Sequence, residues 1–184
     1  MTDEKLCIIS YNSRGCGGNK REFLRALTCL TGCHTVLFNQ ENFLLKNNGY
    51  IIKKALPEHR VIFKPATKEG LEGRPKGGMF VAVPLKYKDK VKEVAVTSTR
   101  LQCMFVTVGS CKLLLVNCYF PNDPRTDFDD TELVLLLKEI EKVISENTFD
   151  HVVLGGDINA DFSRKTIHVD LISDFVTKNG FEKA

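Results

Sequence analysis

The sequence predicts an α/β domain in which helices and short strands pack in layers. Short apolar runs bounded by turn residues recur along the chain, and segments with apolar residues at helical spacing separate some of them. Several runs follow one another closely enough to pair as hairpins. The pattern alone leaves two architectures open, a Rossmann-like sheet and two packed sheets. Because there is no internal repeat, low-complexity tract or linker, we predict one domain over residues 1–184.

The first half of the chain contains most of the predicted strands. A polar segment rich in Gly and Pro, Ala66–Lys76, interrupts them as a predicted loop. One helix is predicted at Lys20–Leu30, where Phe and Leu residues recur at helical spacing. The predicted strands are Leu6–Tyr11, Thr35–Asn39, Tyr50–Lys54, Arg60–Pro65 and Gly77–Pro84.

The second half begins with two strands in succession and then alternates helices with one more strand. Acidic residues near the start of the first of these helices favour it, because they complement the positive end of a helix dipole. The segment Pro121–Arg125 is a predicted loop. The predicted strands are Arg100–Val108, Lys112–Tyr119 and His151–Leu154, and the predicted helices are Asp127–Ser145 and Val169–Lys178.

The composition is that of an ordinary globular protein. Of the 184 residues, 43% are hydrophobic and 27% charged, which excludes a disordered chain. The net charge of +3 permits an acidic partner without requiring one. No apolar segment has the character of a signal peptide or the ~20 residues of a membrane span, so we expect an intracellular protein, nuclear or cytoplasmic, with no membrane partner.

The seven cysteines are odd in number, and several lie within predicted strands. This pattern favours reduced thiols in the core over a disulfide framework. Cys29, Cys33 and His34 are close in sequence, but no second pair follows at zinc spacing, so we expect core packing there as well.

Polar side chains follow four of the apolar strands. Asn12 and Glu41 come after the first two strands, Tyr119 closes a later one, and Asp157 and Asn159 follow the strand that ends in two glycines. Strand ends in layered α/β domains bring side chains together on a rigid frame. We call these five residues the strand-end cluster. Their oxygen donors suit Mg²⁺ and a phosphate better than zinc.

Each member of the strand-end cluster also has a simpler interpretation. Asparagines form turns, Glu41 and Asp157 could cap local structure, and Tyr119 could pack in the core. Taken singly, these structural roles are at least as common as functional ones. Five residues of suitable type at strand ends favour a functional site.

Four segments resemble, in order, the motifs of the endonuclease/exonuclease/phosphatase superfamily. They are Ser10–Gly15, Gln40–Glu41, Asn117–Pro121 and Gly155–Asn159, the last with Ile158 in place of the usual Phe. The segments Gly73–Gly78 and Gly156–Asp161 further resemble the endonucleases of LINE-type retrotransposons. The resemblance implies a four-layer α/β sandwich with two central β-sheets flanked by helices.

The resemblance also implies a role for each residue of the strand-end cluster. Glu41 would be the main ligand of Mg²⁺, or of Mn²⁺ in its place, with Asn12 beside it. Tyr119 would hydrogen-bond the scissile phosphate, and Asp157 would activate or orient the attacking water. Asn159 would hold the phosphate and the geometry of the site. The implied reaction is hydrolysis of a phosphodiester.

The family's domain ends in a Ser-Asp-His motif that this sequence lacks. The nearest string, Ser173-Asp174-Phe175, lies in a predicted helix. The resemblance therefore implies a domain without its C-terminal strands, either a fragment of a longer protein or a degraded copy. Loss of an acid-base His lowers a rate by roughly 10²–10⁴.

Three functions follow as hypotheses. The first is a Mg²⁺-dependent DNA endonuclease that a reverse transcriptase domain follows in the full protein. The second is an inactive remnant that keeps the fold and binds metal or nucleic acid. The third is a phosphatase or phosphodiesterase of the same superfamily with another substrate, such as a phosphoinositide or sphingomyelin.

Several charged residues have less specific patterns. Arg14, Arg74 and Lys76 could contact DNA phosphates, although ordinary solvated loop charges are more common. Arg100 could support the site from the start of a strand, and its role stays open. The four histidines lie in no catalytic pattern, so we expect structural or surface roles for them.

Overall fold

Two four-stranded β-sheets pack face to face, with two helices on the outside of each. The computed structural model describes residues 5–16, 20–68, 73–123 and 130–182. The strands are β1 (Cys7–Asn12), β2 (Thr35–Gln40), β3 (His59–Lys64), β4 (Met79–Pro84), β5 (Val91–Val94), β6 (Leu101–Val108), β7 (Cys111–Tyr119) and β8 (His151–Asp157). The helices are α1 (Lys20–Leu30), α2 (Tyr50–Ala55), α3 (Thr131–Ser145) and α4 (Ile167–Lys178), and 3₁₀ turns lie at Lys46–Asn48 and Leu85–Lys90.

Both sheets are mixed, and each has one parallel pair. The first sheet has the order β1-β2-β4-β3, in which β1 runs parallel to β2 and the other neighbours are antiparallel. The second has the order β5-β6-β7-β8, in which β7 runs parallel to β8. The parallel pairs matter for function because strands of one direction end on the same side of a sheet.

Three hydrophobic clusters define four layers. Residues such as Phe38, Val81 and Met104 fill the space between the sheets. Phe23 of α1 and Ile52 of α2 pack on the outer face of the first sheet. Leu133 and its neighbours in α3 pack with α4 on the second sheet. The predicted sandwich of two sheets flanked by helices is therefore confirmed.

One predicted element is wrong in type. The segment Tyr50–Lys54, predicted as a strand from its β-branched residues, is helix α2. Ile51, Ile52 and Leu56 are all buried in the cluster that α1 shares. Their spacing fits one face of a helix, and packing on that face outweighs the weak β preference of isoleucine.

Strand β5 was not predicted. Its central residues, Lys92 and Glu93, are exposed, so it shows no apolar run. Charged residues of this kind are common on an edge strand, where they discourage pairing with other chains. Helix α3 begins at Thr131. Residues 124–129, which include the end of the predicted loop and the start of the predicted helix, lie outside the described residues. Residues 69–72 of the predicted loop before β4 lie outside them as well.

The expectation of buried cysteines is only partly right. Cys103 and Cys118 are buried, but Cys7, Cys29 and Cys33 are exposed. The prediction for Cys29 and Cys33 is therefore wrong. Cys29 lies on the outer side of α1, whose inner side is Phe23 and Leu27. No helix in the described part of the chain is long and apolar enough to cross a membrane.

Candidate active site

The two parallel strand pairs bring most of the strand-end cluster together. Asn12 is the last residue of β1, and Glu41 directly follows β2. Tyr119 and Asp157 are the last residues of β7 and β8, and they are register partners. The two pairs lie in different sheets, so the site forms where the ends of both sheets meet.

The Asn12 side chain links carboxylates from the two sheets. Its Nδ2 donates a 2.9 Å hydrogen bond to Oε2 of Glu41 and a second, short one to Oδ2 of Asp157. The other oxygen of Glu41, Oε1, accepts a hydrogen bond of 2.7 Å from the Tyr119 hydroxyl. Four of the five predicted residues therefore form one connected set.

The fifth residue, Asn159, contacts this set through its backbone. Its N–H donates to Oδ1 of Asp157 at 3.1 Å, while its side-chain Nδ2 donates to the Phe120 carbonyl at 2.8 Å. Asn159 thus fixes the Asp157 carboxylate and the chain after β7. In this geometry its amide group is engaged with the backbone.

Glu41 has an uncommon backbone conformation, with φ of +53°. A left-handed conformation costs a non-glycine residue roughly 1–2 kcal/mol, and such positions cluster at functional sites. Backbone hydrogen bonds hold it there: Gly15 N–H donates to the Glu41 carbonyl, and Asn42 N–H donates to Gly78. The carboxylate therefore leaves the end of β2 in a fixed direction.

A row of buried carboxamides beneath the site joins the two sheets. Gln40 Nε2 donates to Asn117 Oδ1 at 2.7 Å, and Asn117 Nδ2 donates to Gln102 Oε1 at 3.3 Å. We call these three residues the amide bridge. All three are buried. No role was predicted for Asn117 or Gln102, although an amide inside the apolar run of β7 was a signal.

The surroundings of Tyr119 keep its hydroxyl protonated. Burial, followed by the hydrogen bond to Glu41 and its negative charge, raises the pKa of Tyr119 to about 12, and Arg100 opposes this shift. The Arg100 guanidinium lies 4.8 Å from the centre of the Tyr119 ring. Tyr119 is therefore a neutral hydrogen-bond donor at physiological pH.

A groove of about 520 Å³ opens beside the site, and Glu41, Tyr119, Arg74, Lys76 and Arg100 are among its lining residues. Arg74 lies 4.2 Å over the Phe43 ring and donates a 3.0 Å hydrogen bond from Nη2 to the Arg14 carbonyl. Two of the three predicted substrate contacts, Arg74 and Lys76, thus face the groove.

The third, Arg14, contributes through its backbone. Its N–H donates to Oδ1 of Asn12 at 2.8 Å, and its side chain is exposed.

The donor set fits Mg²⁺. Glu41 and Asp157 offer carboxylates within hydrogen-bond distance of one nitrogen, and Mg²⁺ is commonly bound by one or two carboxylates, water and a substrate phosphate. Within residues that the structure describes, no group of three or more His, Cys, Asp and Glu side chains could hold a metal ion. The described residues therefore contain no zinc-type site built from several His or Cys ligands.

No protein-family model matches the chain, and no curated protein matches it. Solved structures do match in fold. An endonuclease/exonuclease/phosphatase family protein from Leptotrichia buccalis has a TM-score of 0.65 at 15% identity, over 93% of this chain and 73% of the other. The AP endonuclease LMAP from Leishmania major has a TM-score of 0.64 at 15% identity, over 93% and 66%.

A third match is the endonuclease domain of TRAS1, a telomere-specific non-LTR retrotransposon, with a TM-score of 0.60 at 15% identity, over 96% of this chain and 75% of the domain. The chain spans between about half and three quarters of the length of such structures, from 49% to 75%. At this identity the likeness establishes the fold, which is that of endonuclease/exonuclease/phosphatase proteins.

Proposed function

We propose that this chain is a Mg²⁺-dependent phosphodiesterase that cuts the DNA backbone as a nicking endonuclease. The observation that supports this most strongly is the link that Asn12 makes between the carboxylates of Glu41 and Asp157, with Tyr119 on the other oxygen of Glu41. Two carboxylates and a neutral phenol at one point suit hydrolysis of a phosphate ester.

Each side chain has a distinct task in this proposal. Glu41, assisted by Asn12, would hold Mg²⁺, which supplies a Lewis acid for a phosphoryl oxygen. Asp157, oriented by Asn12 and by Asn159 N–H, would accept a proton from the attacking water. The water oxygen would bond to phosphorus as the bond to the leaving sugar oxygen breaks, and the leaving oxygen would take a proton from bulk water. Tyr119 would turn its hydroxyl proton from Glu41 to a non-bridging oxygen of the phosphate.

DNA is the proposed substrate because of the groove and of the fold's relatives. Arg74, Lys76 and Arg100 line the groove that leads to Tyr119, and cations beside such a site suit a polyanionic strand. An AP endonuclease and a retrotransposon endonuclease domain share the fold. The likeness to the TRAS1 domain and the segment Gly73–Gly78 support the proposal that this chain is part of a retrotransposon protein. Such a protein would act inside the cell, and a reverse transcriptase domain would follow in its full length.

The test is nicking of supercoiled plasmid in the presence of Mg²⁺. We expect the parent chain to convert supercoiled to open-circular DNA, and Glu41→Gln to lose this activity by roughly 10²-fold or more, since the variant keeps the shape of the side chain but not its charge. Glu58→Gln removes an exposed carboxylate far from the groove and serves as the matched control.

Chelator should abolish nicking by the parent and by Glu58→Gln alike. A well-folded parent without nicking activity would overturn the proposal that this chain is an active endonuclease. Nicking that persists equally in Glu41→Gln would overturn the assignment of the site. Circular dichroism of all three proteins establishes that folding is matched.

A further inference from the structure

Arg100 and Glu132 form an ion pair at the edge of the groove. Nε of Arg100 lies 2.7 Å from Oε1 of Glu132, which belongs to the first turn of α3. The Arg100 guanidinium also lies 4.8 Å from the centre of the Tyr119 ring. Arg100, Tyr119 and Glu132 all line the groove that Glu41 also lines. A cation thus lies over the ring of the proposed phosphate-binding tyrosine and is paired with an anion.

The backbone holds Arg100 in a fixed relation to Tyr119. The Arg100 carbonyl accepts a 2.9 Å hydrogen bond from Tyr119 N–H, and the Arg100 N–H donates to Ser98 Oγ at 3.1 Å. Glu139 of α3 accepts hydrogen bonds from Thr97 and Ser98. Such support fixes the backbone of Arg100 beside Tyr119 before any ligand arrives, which limits the space that its guanidinium can reach.

The balance of charge in this part of the groove favours a phosphate over Glu132 as the partner of Arg100. A guanidinium can present two parallel N–H groups to a phosphate, and this pairing is among the stronger charge-assisted hydrogen bonds. The pair with Glu132 is partly exposed, at 27% for the Arg100 side chain and 60% for that of Glu132. Ion pairs in contact with water are weak.

We propose that Arg100 binds a DNA phosphodiester next to the one that Tyr119 contacts, and that Glu132 competes with the DNA for Arg100. The inference rests on the proposed function, because it names a substrate-binding residue of the same site. Glu132 thereby lowers affinity for the strand and sets how readily DNA enters the groove. Arg100 is a binding residue in this scheme, and Glu132 acts only through it.

The experiment measures binding of a fluorescein-labelled DNA duplex to the 184-residue chain by fluorescence anisotropy, in chelator so that no cleavage occurs. Arg100→Met should weaken binding by roughly 10-fold and reduce the slope of log affinity against log salt by about 1, the change expected when one phosphate contact is lost. Arg100→Lys should restore part of the affinity.

Glu132→Gln should tighten binding by roughly 3-fold, because Arg100 then has no competing carboxylate. The double variant Arg100→Met/Glu132→Gln should bind like Arg100→Met alone. Glu141→Gln is the matched control: it removes the same charge from the same helix, but Glu141 pairs with Lys178, 2.8 Å away and outside the groove. It should leave affinity unchanged.

Three results would overturn the inference. The first is an increase in DNA affinity in Glu141→Gln as large as that in Glu132→Gln. The second is an increase in DNA affinity from Glu132→Gln that persists in the double variant with Arg100→Met. Both results would indicate a general effect of charge. The third is a folded Arg100→Met that binds DNA as tightly as the parent. DNA binding by the parent with no change in the variants overturns this inference alone. No binding by the parent or by Glu132→Gln overturns the proposed function with it.

Discussion

Tyr119 shows how the position of a single residue changes its chemistry. Its hydroxyl is half-buried against Glu41, and its pKa is raised to about 12 from 10.0. A tyrosine with an ordinary pKa would begin to ionise at mildly alkaline pH. Tyr119 therefore remains a hydrogen-bond donor at mildly alkaline pH as well.

The raised pKa of Tyr119 predicts a loss of stability at high pH. Well below pH 10, Tyr119 is neutral in both the folded and the unfolded protein. Between about pH 10 and 12, the tyrosine of the unfolded protein loses its proton while that of the folded protein keeps it. The free energy of unfolding therefore falls as pH rises through this range. Because Tyr119 is partly exposed, water weakens this effect, and we expect it to lower the free energy of unfolding of the parent by about 1 kcal/mol at about pH 11. Tyr119→Phe should not show this alkaline loss.

Urea unfolding at about pH 8 and about pH 11 measures this difference. Tyr50→Phe is the control, because Tyr50 is 63% exposed. An alkaline loss in Tyr119→Phe as large as that of the parent would contradict the assignment of the raised pKa to this residue.

At the scale of the element, Gly156 sets the path of β8 toward the site. Its φ is +145°, and a Cβ at this position would lie 1.8 Å from the Cys118 carbonyl oxygen of β7. The next residue, Asp157, pairs with Tyr119, so the close approach of the two backbones fixes the distance between two members of the strand-end cluster.

Gly156→Ala should therefore destabilise the fold by about 3 kcal/mol or more, since backbone must move to relieve the clash. Gly180→Ala is the matched control: Gly180 also has a positive φ, +65°, but nothing lies within 4 Å of an added Cβ. It should cost about 1 kcal/mol. Equal free energies of unfolding for the two variants would show that the β7–β8 approach is not as tight as described.

The amide bridge connects β2 of the first sheet to β7 of the second. Asn117→Ala leaves the buried Gln40 amide without its 2.7 Å partner, and we expect a loss of about 2–3 kcal/mol in the free energy of unfolding. Gln40→Ala and the double variant Gln40→Ala/Asn117→Ala complete a double-mutant cycle. We expect an interaction free energy of about 1–2 kcal/mol between the two residues. Additive effects in urea unfolding would indicate that the two amides stabilise their own sheets and not the contact between them.

Among the residues that the structure describes, seven of the eight strands and three of the four helices were predicted in type, and the exceptions have physical reasons. Helix α2 was mistaken for a strand because Tyr50–Lys54 is too short for periodicity to decide. Strand β5 is held by pairing with β6, and its exposed Lys92 and Glu93 gave no apolar signal.

The candidate site was predictable where residues follow strands and less so where contacts join distant elements. Asn12, Glu41 and Asp157 meet as the strand-end pattern indicates. Glu132 could not be recognised, because its pairing with Arg100 depends on how α3 packs beside β6. Exposure of Cys29 likewise depends on which side of α1 meets the sheet.

At the scale of the whole molecule, the proposed metal would bind where the ends of the two sheets meet. Its proposed ligands, Glu41 and Asn12, belong to the first sheet, and Asn12 also donates a hydrogen bond to Asp157 of the second. A ligand that binds only the folded state raises the free energy of unfolding by RT ln(1 + [L]/Kd), or about 2.7 kcal/mol at 100 times Kd.

Mg²⁺ should therefore raise the melting temperature of the parent in a concentration-dependent way, and Ca²⁺, which prefers more ligands, should do so by a different amount. Glu41→Gln should lose the shift, whereas Glu58→Gln should keep it. Differential scanning fluorimetry measures both without any DNA. An equal Mg²⁺ shift in Glu41→Gln would mean that the ion binds elsewhere on the protein.

The division of the site between two sheets also bears on how such a protein is made. When a ribosome has synthesised β1 to β4, Asn12 and Glu41 are already part of the growing chain. Tyr119 and Asp157 have not yet been synthesised at that stage. If the proposed function holds, a growing chain cannot cut nucleic acid near the ribosome until β8 has been added beside β7. The order of the strands along the chain thus prevents a potentially toxic activity while the first sheet is being made.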